Sequence, residues 1–414
     1  MLAAGSPNSA SPPSRIGYLE SIRGLASLQV LFLHTFQAQA PALGIFSPDR
    51  NTLADFIHAS PLFLLYDGYS AVFIFFVLSG YVLTGAFQRQ TDKPLRAILA
   101  RIVRLGLPAL FAGFVAAALF VFFGAYGPAA GAAAGSTFLA QEWHPIPGLG
   151  ALLRDVTFNA LFIGYQGVDP TGNLFASIEQ PASQAYVGPL WTLSFEFYGS
   201  MMILIFCLLR AWRPMVATIV ATLCLAFFIR GAYAAFVIGY FLATHRFAEG
   251  APKISRPLAL ALIGVGAWLC LSVESTWLPP LYYACHYDTK LLFPCTSTVN
   301  LHKICGAIFI FCGAIQLAGV RRLLSLPALT AIGRLSFPLY LMHEPVNFGL
   351  GAFFSLALAP YLGGATAFAT IAAVWAISLT LAWLFQPIDR TATQLSRAIT
   401  RNEPCQSSAF APAQ

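Results

Sequence analysis

The chain has 414 residues, of which 58% are hydrophobic and only 9% are charged, where a soluble globular protein carries about 25% charged residues. Its mean hydropathy of +0.71 is more apolar side chain than a water-facing fold can hide. Disorder, a disulfide-stapled miniprotein and an ordinary cytosolic enzyme are therefore excluded, and the chain belongs in a bilayer. The formal charge is +7, but the basic residues fall in short clusters between apolar runs rather than in a basic arm or helix face. That pattern is membrane topology, not nucleic-acid binding.

Met1–Ser14 is small, polar and proline-bearing, so residues 1–17 read as a disordered start rather than a cleavable signal. Runs of about 17 to 25 apolar residues then predict membrane-spanning helices. In chain order they fall at Arg23–Gln37, Ser70–Phe87, Leu105–Gly124, Pro189–Leu209, Pro214–Ile229, Gly231–Thr244, Pro257–Val273, Lys303–Gly319, Ala331–Gly349 and Ala365–Phe385. The expected fold is all-α: a polytopic membrane protein of about ten transmembrane helices, one membrane domain over residues 18–388, and a polar C-terminal tail over 389–414. The fifth and sixth runs are short and divided only by Arg230 and Gly231, so they read as a tight hairpin or as one broken helix.

If the N-terminus is cytoplasmic, only Arg50, Arg154, Arg230, Lys290 and Lys303 fall on the far side, and the other 18 of the 23 lysines and arginines face the cytoplasm. Such a bias predicts both termini cytoplasmic and an even number of spans. The loops Gln39–Tyr69, Ala125–Gly188 and Glu274–His302 then lie outside. Within the second of these, Ala151–Gly164 reads as an amphipathic stretch on the outer membrane face. The eight cysteines form no Cys-x-x-Cys pair and no Cys/His set at zinc spacing; Cys285 and Cys295, together in a polar loop, are the one candidate disulfide. No metal site is expected.

Ionisable groups inside spans cost about 2.5–3.5 kcal/mol each on insertion scales, which makes them the informative positions. Arg23 and His34 are 11 residues apart, about 1100° around a helix and roughly 16 Å along it, so they share a face. A guanidinium at the membrane entrance suits a phosphate, and an imidazole deeper down can move a proton near neutral pH. The competing readings are a topology anchor for Arg23 and an interhelical hydrogen bond for His34. Arg101 and Arg104, three apart at the start of the third run, could bind a polyphosphate or anionic lipid headgroups, or simply enforce orientation. Glu196, just over a turn below Trp191, needs a partner or a neutral state; His34 or His343 could be that partner, the competing reading being a structural hydrogen bond to a neighbouring helix. His343-Glu344-Pro345 is not a zincin motif, since Asn347 stands where the second histidine would be. Ser79 and Ser194 sit in no nucleophile elbow, which speaks against a serine protease.

Taken together these elements resemble the membrane-bound acyltransferase family 3, integral-membrane O-acyltransferases that modify sugars. The resemblance rests on five motifs in order: Tyr18-Leu19-Glu20-Ser21-Ile22-Arg23-Gly24-Leu25-Ala26 running on to His34; Gly68 through Val72 into Phe75-Phe76-Val77-Leu78-Ser79-Gly80-Tyr81; Arg101-x-x-Arg104; Leu190-Trp191-Thr192-Leu193-Ser194-Phe195-Glu196; and Ser336 through Tyr340-x-x-His343-x-Pro345. The resemblance extends over about Tyr18 to Gln386, nearly the whole chain. Ala71 stands where glycine is usual, and Phe197-Tyr198-Gly199-Ser200 follows Glu196 where many members carry a second carboxylate.

The resemblance implies transfer of an acyl group, most often acetyl, from cytoplasmic acyl-CoA to a hydroxyl at or beyond the outer face. Arg23, Arg101 and Arg104 would dock the donor's phosphates along one continuous polar seam leading to His34. His34 would be general base or transient acyl carrier, Glu196 would orient it, and His343 would line the site. Ser79, Trp191, Ser194 and Tyr340 would line the substrate pocket. The implied partners are acyl-CoA (acetyl-CoA foremost) as co-substrate, a glycan or glycolipid acceptor and the bilayer of a plasma or inner membrane. The alternatives are a proton-linked transporter or flippase using Arg23, His34 and Glu196, and a lipid- or sterol-handling enzyme with no need of Arg101 and Arg104.

Overall fold

The computed structural model describes residues 17–44, 52–144, 148–166, 180–181, 185–229, 231–247, 250, 252–272 and 298–401. The first sixteen residues, Arg230, and the Cys285/Cys295 pair lie outside them. Each of the ten segments expected from hydropathy falls on a helix: α1 (Gly17–Gln39), α2 (Gly68–Phe87), α3 (Pro94–Phe123), α4 (Trp191–Trp212), α5 (Pro214–Phe227), α6 (Tyr233–Thr244), α7 (Arg256–Ser272), α8 (Thr298–Gln316), α9 (Pro327–Val346) and α10 (Thr366–Thr400). Shorter helices, two π-helical segments (Arg154–Ile163 and Asn347–Gly351) and one two-residue parallel pairing complete the described backbone.

Not every one of these helices can cross a bilayer by itself. Among the described residues four helical stretches are long and apolar enough, at Gly68–Phe87, Pro94–Ala134, Gly188–Trp212 and Pro327–Thr400. A fifth is added if Leu301–Gln316 and Ala318–Leu324, bent by 94° at Leu317, are one broken span. By length and composition, then, the described residues hold four or five candidate spans, one of them the 74-residue stretch that includes both α9 and α10, and the ten expected spans are not confirmed. The reason is geometric. The 14 residues of α5 extend about 21 Å against a hydrocarbon core of about 30 Å. α1 is long enough, but Arg23, Gln29, His34 and Gln37 dilute it. α5 and α6 are two helices, with a turn between them in which the Gly231 N–H donates to the Phe228 carbonyl.

Two helices overrun their expected limits furthest. α3 begins at Pro94, with proline at its first position, where the missing N–H costs nothing. Arg101 and Arg104 therefore lie about two and about three turns inside the helix rather than at its start. α10 runs on past Phe385 and Pro387 to Thr400, so most of the expected polar tail that is described is helix. Hydropathy marks where the apolar run stops, not where backbone hydrogen bonding does.

α1 and α9 lie side by side and cross at two glycines. A Cβ on Gly24 would come within 2.6 Å of the Gly333 nitrogen, and one on Gly333 within 2.3 Å of the Glu20 carbonyl. Only glycine permits this approach, the usual device of membrane helix pairs, where apolar burial gives no net drive. Contacts climb both helices together, from Glu20 on Gly333 to His34 on His343, so the helices are parallel. The same ten-residue step, about 15 Å of rise, separates Gly24 from His34 and Gly333 from His343. Close packing at the glycines thus sets the two imidazoles face to face. α2 and α6 interlock likewise, Gly80 against the Phe236 carbonyl and Gly239 against that of Val77.

The N-terminus of α2 is held by charge. Asp67 caps it by accepting from the Ser70 N–H (3.2 Å) and hydroxyl (2.5 Å). Lys303 of α8 donates to the same carboxylate at 2.9 Å, with both side chains essentially excluded from solvent.

Candidate active site

Two polar constellations adjoin between these helices. The first is a cavity of about 230 Å³ walled by α1, α2, α3, α4 and α9, with Arg23, Ser79, Arg101, Arg104, Thr192, Glu196, Phe337 and Tyr340 among its lining. Arg101 anchors it: its Nη2 donates to Glu196 Oε2 at 2.5 Å and its Nε to Ser200 Oγ at 2.6 Å. The Ser79 hydroxyl donates to the other Glu196 oxygen at 2.7 Å. Arg104 Nη1 reaches Asp389 of α10 at 2.7 Å, and its guanidinium lies over the Phe337 ring. Arg23 has no ion-pair partner among the described residues although it faces the same cavity. Two guanidiniums are neutralised and a third is left over, which makes the cavity a receptor for an anion.

The second constellation is made by α1 and the end of α9. His34 Nδ1 lies 2.8 Å from His343 Nε2 and 2.8 Å from Glu344 Oε1. His343 is fully buried, and its Nδ1 faces the Leu339 carbonyl at 3.2 Å. A carbonyl only accepts, so His343 Nδ1 carries the proton and its Nε2 is a bare acceptor. The Glu344 carboxylate also only accepts. The proton between the three groups therefore resides on His34 Nδ1, shared between His343 and Glu344, and His34 Nε2 is left with a free lone pair. The His34 side chain is 21% exposed, against 7% for Glu344.

The supports of this triad are local. Gly188 opens the Gly-Pro-Leu-Trp turn before α4, and its N–H donates to Glu344; a Cβ there would sit 1.9 Å from Glu344 Oε2. Asn347 starts a π-helical segment and donates from Nδ2 to the His34 carbonyl at 3.0 Å. Such π turns inside α-helices concentrate at functional sites.

Several expectations need correcting. The partner of Glu196 is neither His34 nor His343, but Arg101 and Ser79. A carboxylate takes the charge-assisted guanidinium bond within reach before a neutral ring, and the carboxylate beside the imidazoles is Glu344. The continuous seam from Arg23 to His34 is interrupted. His34 is not on the cavity wall, whereas Tyr340 is; Tyr340 shares a hydrogen bond with Thr192, and its ring centroid lies 6.0 Å from that of His343. Trp191 and Ser194 do not line the cavity either. Trp191 packs on Phe195, and the buried Ser194 hydroxyl donates to the Trp191 carbonyl, while Thr192 and Leu193 face inward instead.

Residues that sequence reasoning passed over are Gly188, Asn347 and Asp389. Asp389 was hidden in an apparent tail, and Asn347 carries no charge to betray it. Glu344 stood out as an intramembrane carboxylate with no partner to assign. His34, His343 and Glu344 also offer three metal-type donor atoms within 4.8 Å of one another, but their 2.8 Å contacts are hydrogen-bond distances, shorter than the roughly 3.3 Å between ligands around a tetrahedral zinc with bonds of about 2.0–2.1 Å.

No curated protein and no solved structure gives a significant match to the chain. A family model does, the one described as an acyltransferase domain, over residues 16–385. That interval holds both constellations except Asp389, and it contains all five motifs in order. The chain is thus a membrane protein that belongs to acyltransferase family 3.

Proposed function

We propose that this acyltransferase moves an acyl group, acetyl foremost, from acyl-CoA on the cytoplasmic side to a hydroxyl of a carbohydrate or related acceptor at the opposite face of a plasma or inner membrane. The observation that carries this reading is the set of contacts in the triad: His34 Nδ1 at 2.8 Å from both His343 Nε2 and Glu344 Oε1. His343 and Glu344 hold His34 in the tautomer whose Nε2 is free, which is the form a general base needs.

The chemistry then runs on this chain's own groups. Arg23 and Arg104, at the junction with the space beyond, draw the anionic donor to the cavity, while Arg101 holds Glu196 in place. His34 Nε2 takes the proton of the acceptor hydroxyl as its oxygen attacks the thioester carbonyl. Glu344 faces the imidazolium that forms, and the ring returns the proton to the departing CoA sulfur as the tetrahedral intermediate collapses. In the variant of this scheme with two transfers, His34 Nε2 itself carries the acyl group between donor and acceptor. Either way, Tyr340 must swing from its place between cavity and triad for the thioester to reach the imidazole, so it is the door of the site.

The test uses membranes holding the full chain, labelled acetyl-CoA and surface-glycan acceptors. His34→Ala should abolish label transfer at an unchanged protein level. Retained transfer would remove His34 from the chemistry. A carrier would move its cargo unmodified, and label appearing only as intact donor on the far side would replace the enzymatic reading with a transporter.

A further inference from the structure

A second cavity, of about 510 Å³, opens beyond the first and shares Arg23, Leu78, Val82, Arg104 and Phe337 with it. Its size lies within the roughly 300–1,000 Å³ of small-molecule sites. Its far wall is the extension of α10 that hydropathy left out. Gln386, Asp389, Arg390, Thr393, Gln394 and Arg397 recur there every three or four residues and so present one polar face. Arg334 of α9 completes the rim.

Five guanidiniums line this space, from Arg23, Arg104, Arg334, Arg390 and Arg397, against two carboxylates, Glu20 and Asp389. Asp389 is engaged by Arg104 at 2.7 Å, and Arg390 donates to the Gln386 side chain at 2.6 Å. Arg334 and Arg397 have no ion pair or side-chain hydrogen bond among the described residues. Like charges gathered around a concavity repel one another unless an anion enters, and planar forks suit phosphate oxygens.

We infer that this outer cavity is the binding site for the phosphorylated nucleotide end of the donor, with Arg334 and Arg397 as its phosphate contacts. The inference rests on the acyl-CoA reading above and divides the donor between two chambers. The thin thioester arm occupies the inner cavity beside Glu196, and the polyanion occupies the outer one. The C-terminal extension of α10 is then part of the donor site. An anionic lipid headgroup offers the same phosphate chemistry, and the experiment separates the two.

The full chain is reconstituted in nanodiscs of neutral phosphatidylcholine and assayed, with the surface-glycan acceptors of the preceding test, with acetyl-CoA and with S-acetylpantetheine, which has the thioester arm but no phosphate. The readout is the ratio of kcat/KM for the two donors. In the double variant Arg334→Gln/Arg397→Gln this ratio should fall by about tenfold or more, through KM for acetyl-CoA, since bonds to charged groups are each worth more than neutral ones. Arg334→Lys/Arg397→Lys should recover part of it. An unchanged ratio, or equal loss with both donors, overturns the inference. So does a difference between wild type and variant that appears only when anionic lipid is added to the nanodiscs, which would assign the cavity to a headgroup. If the wild-type chain transfers from neither donor, the acyl-CoA reading fails instead, a result distinguishable from all of these.

Discussion

The chemistry of the site turns on which proton sits on which nitrogen. His34 Nδ1–H is claimed by two acceptors at once, so each acceptor protects the tautomer. Glu344→Gln turns one of them into an amide able to donate, and transfer should slow by about 10²–10⁴-fold, the usual worth of a positioned base; single-turnover kinetics with labelled donor would show it. Gly188→Ala drives a methyl into the Glu344 carboxylate. Transfer should be lost although the protein still accumulates, with a destabilisation of about 1–3 kcal/mol in detergent unfolding. Arg101 and Glu196 have side chains only 14% exposed, so their pair stands between a surface and a buried one. Glu196→Gln alone should cost about 1–3 kcal/mol, and adding Arg101→Gln should recover part of that cost.

At the scale of elements, the design is helices clamped by glycines and capped by charge. Gly24→Val would push α9 off α1 and separate His34 from His343, lowering both melting temperature and transfer. The Lys303–Asp67 pair ties α8 to the first turn of α2. Lys303→Met strands a buried carboxylate and should cost about 3–5 kcal/mol, whereas Lys303→Met/Asp67→Asn should regain most of it. Readability followed the same division. Helix positions were legible because an apolar run is a local property, and proline starts such as Pro94 and Pro214 mark where the chain can turn into a helix. Their ends were less legible, as α10 shows, because backbone hydrogen bonding continues into polar sequence so long as one face has something to pack on.

For the whole molecule, the charge bias predicts an even number of crossings with both ends on one side. Single cysteines placed at Arg89 and Arg401 in an otherwise cysteine-free chain should be labelled by an impermeant thiol reagent only after the membrane is opened, and one at Arg154 before. Composition, the lone ionisable residues in apolar runs and the order of five short motifs were enough to announce a membrane helix assembly, its family, and His34 and Arg23 as residues worth asking about. All of these are carried by one residue or by near neighbours along the chain. Who bonds to whom was carried by neither. Glu344 rather than Glu196 stands beside the imidazoles, Asp389 reaches Arg104 across 285 positions, and Tyr340, not His34, lines the cavity that linear spacing had run on to the imidazole. Those outcomes depend on how closely Gly24 and Gly333 let two helices approach and on which charged group lies within hydrogen-bond reach once they do, and neither distance exists until the chain is packed.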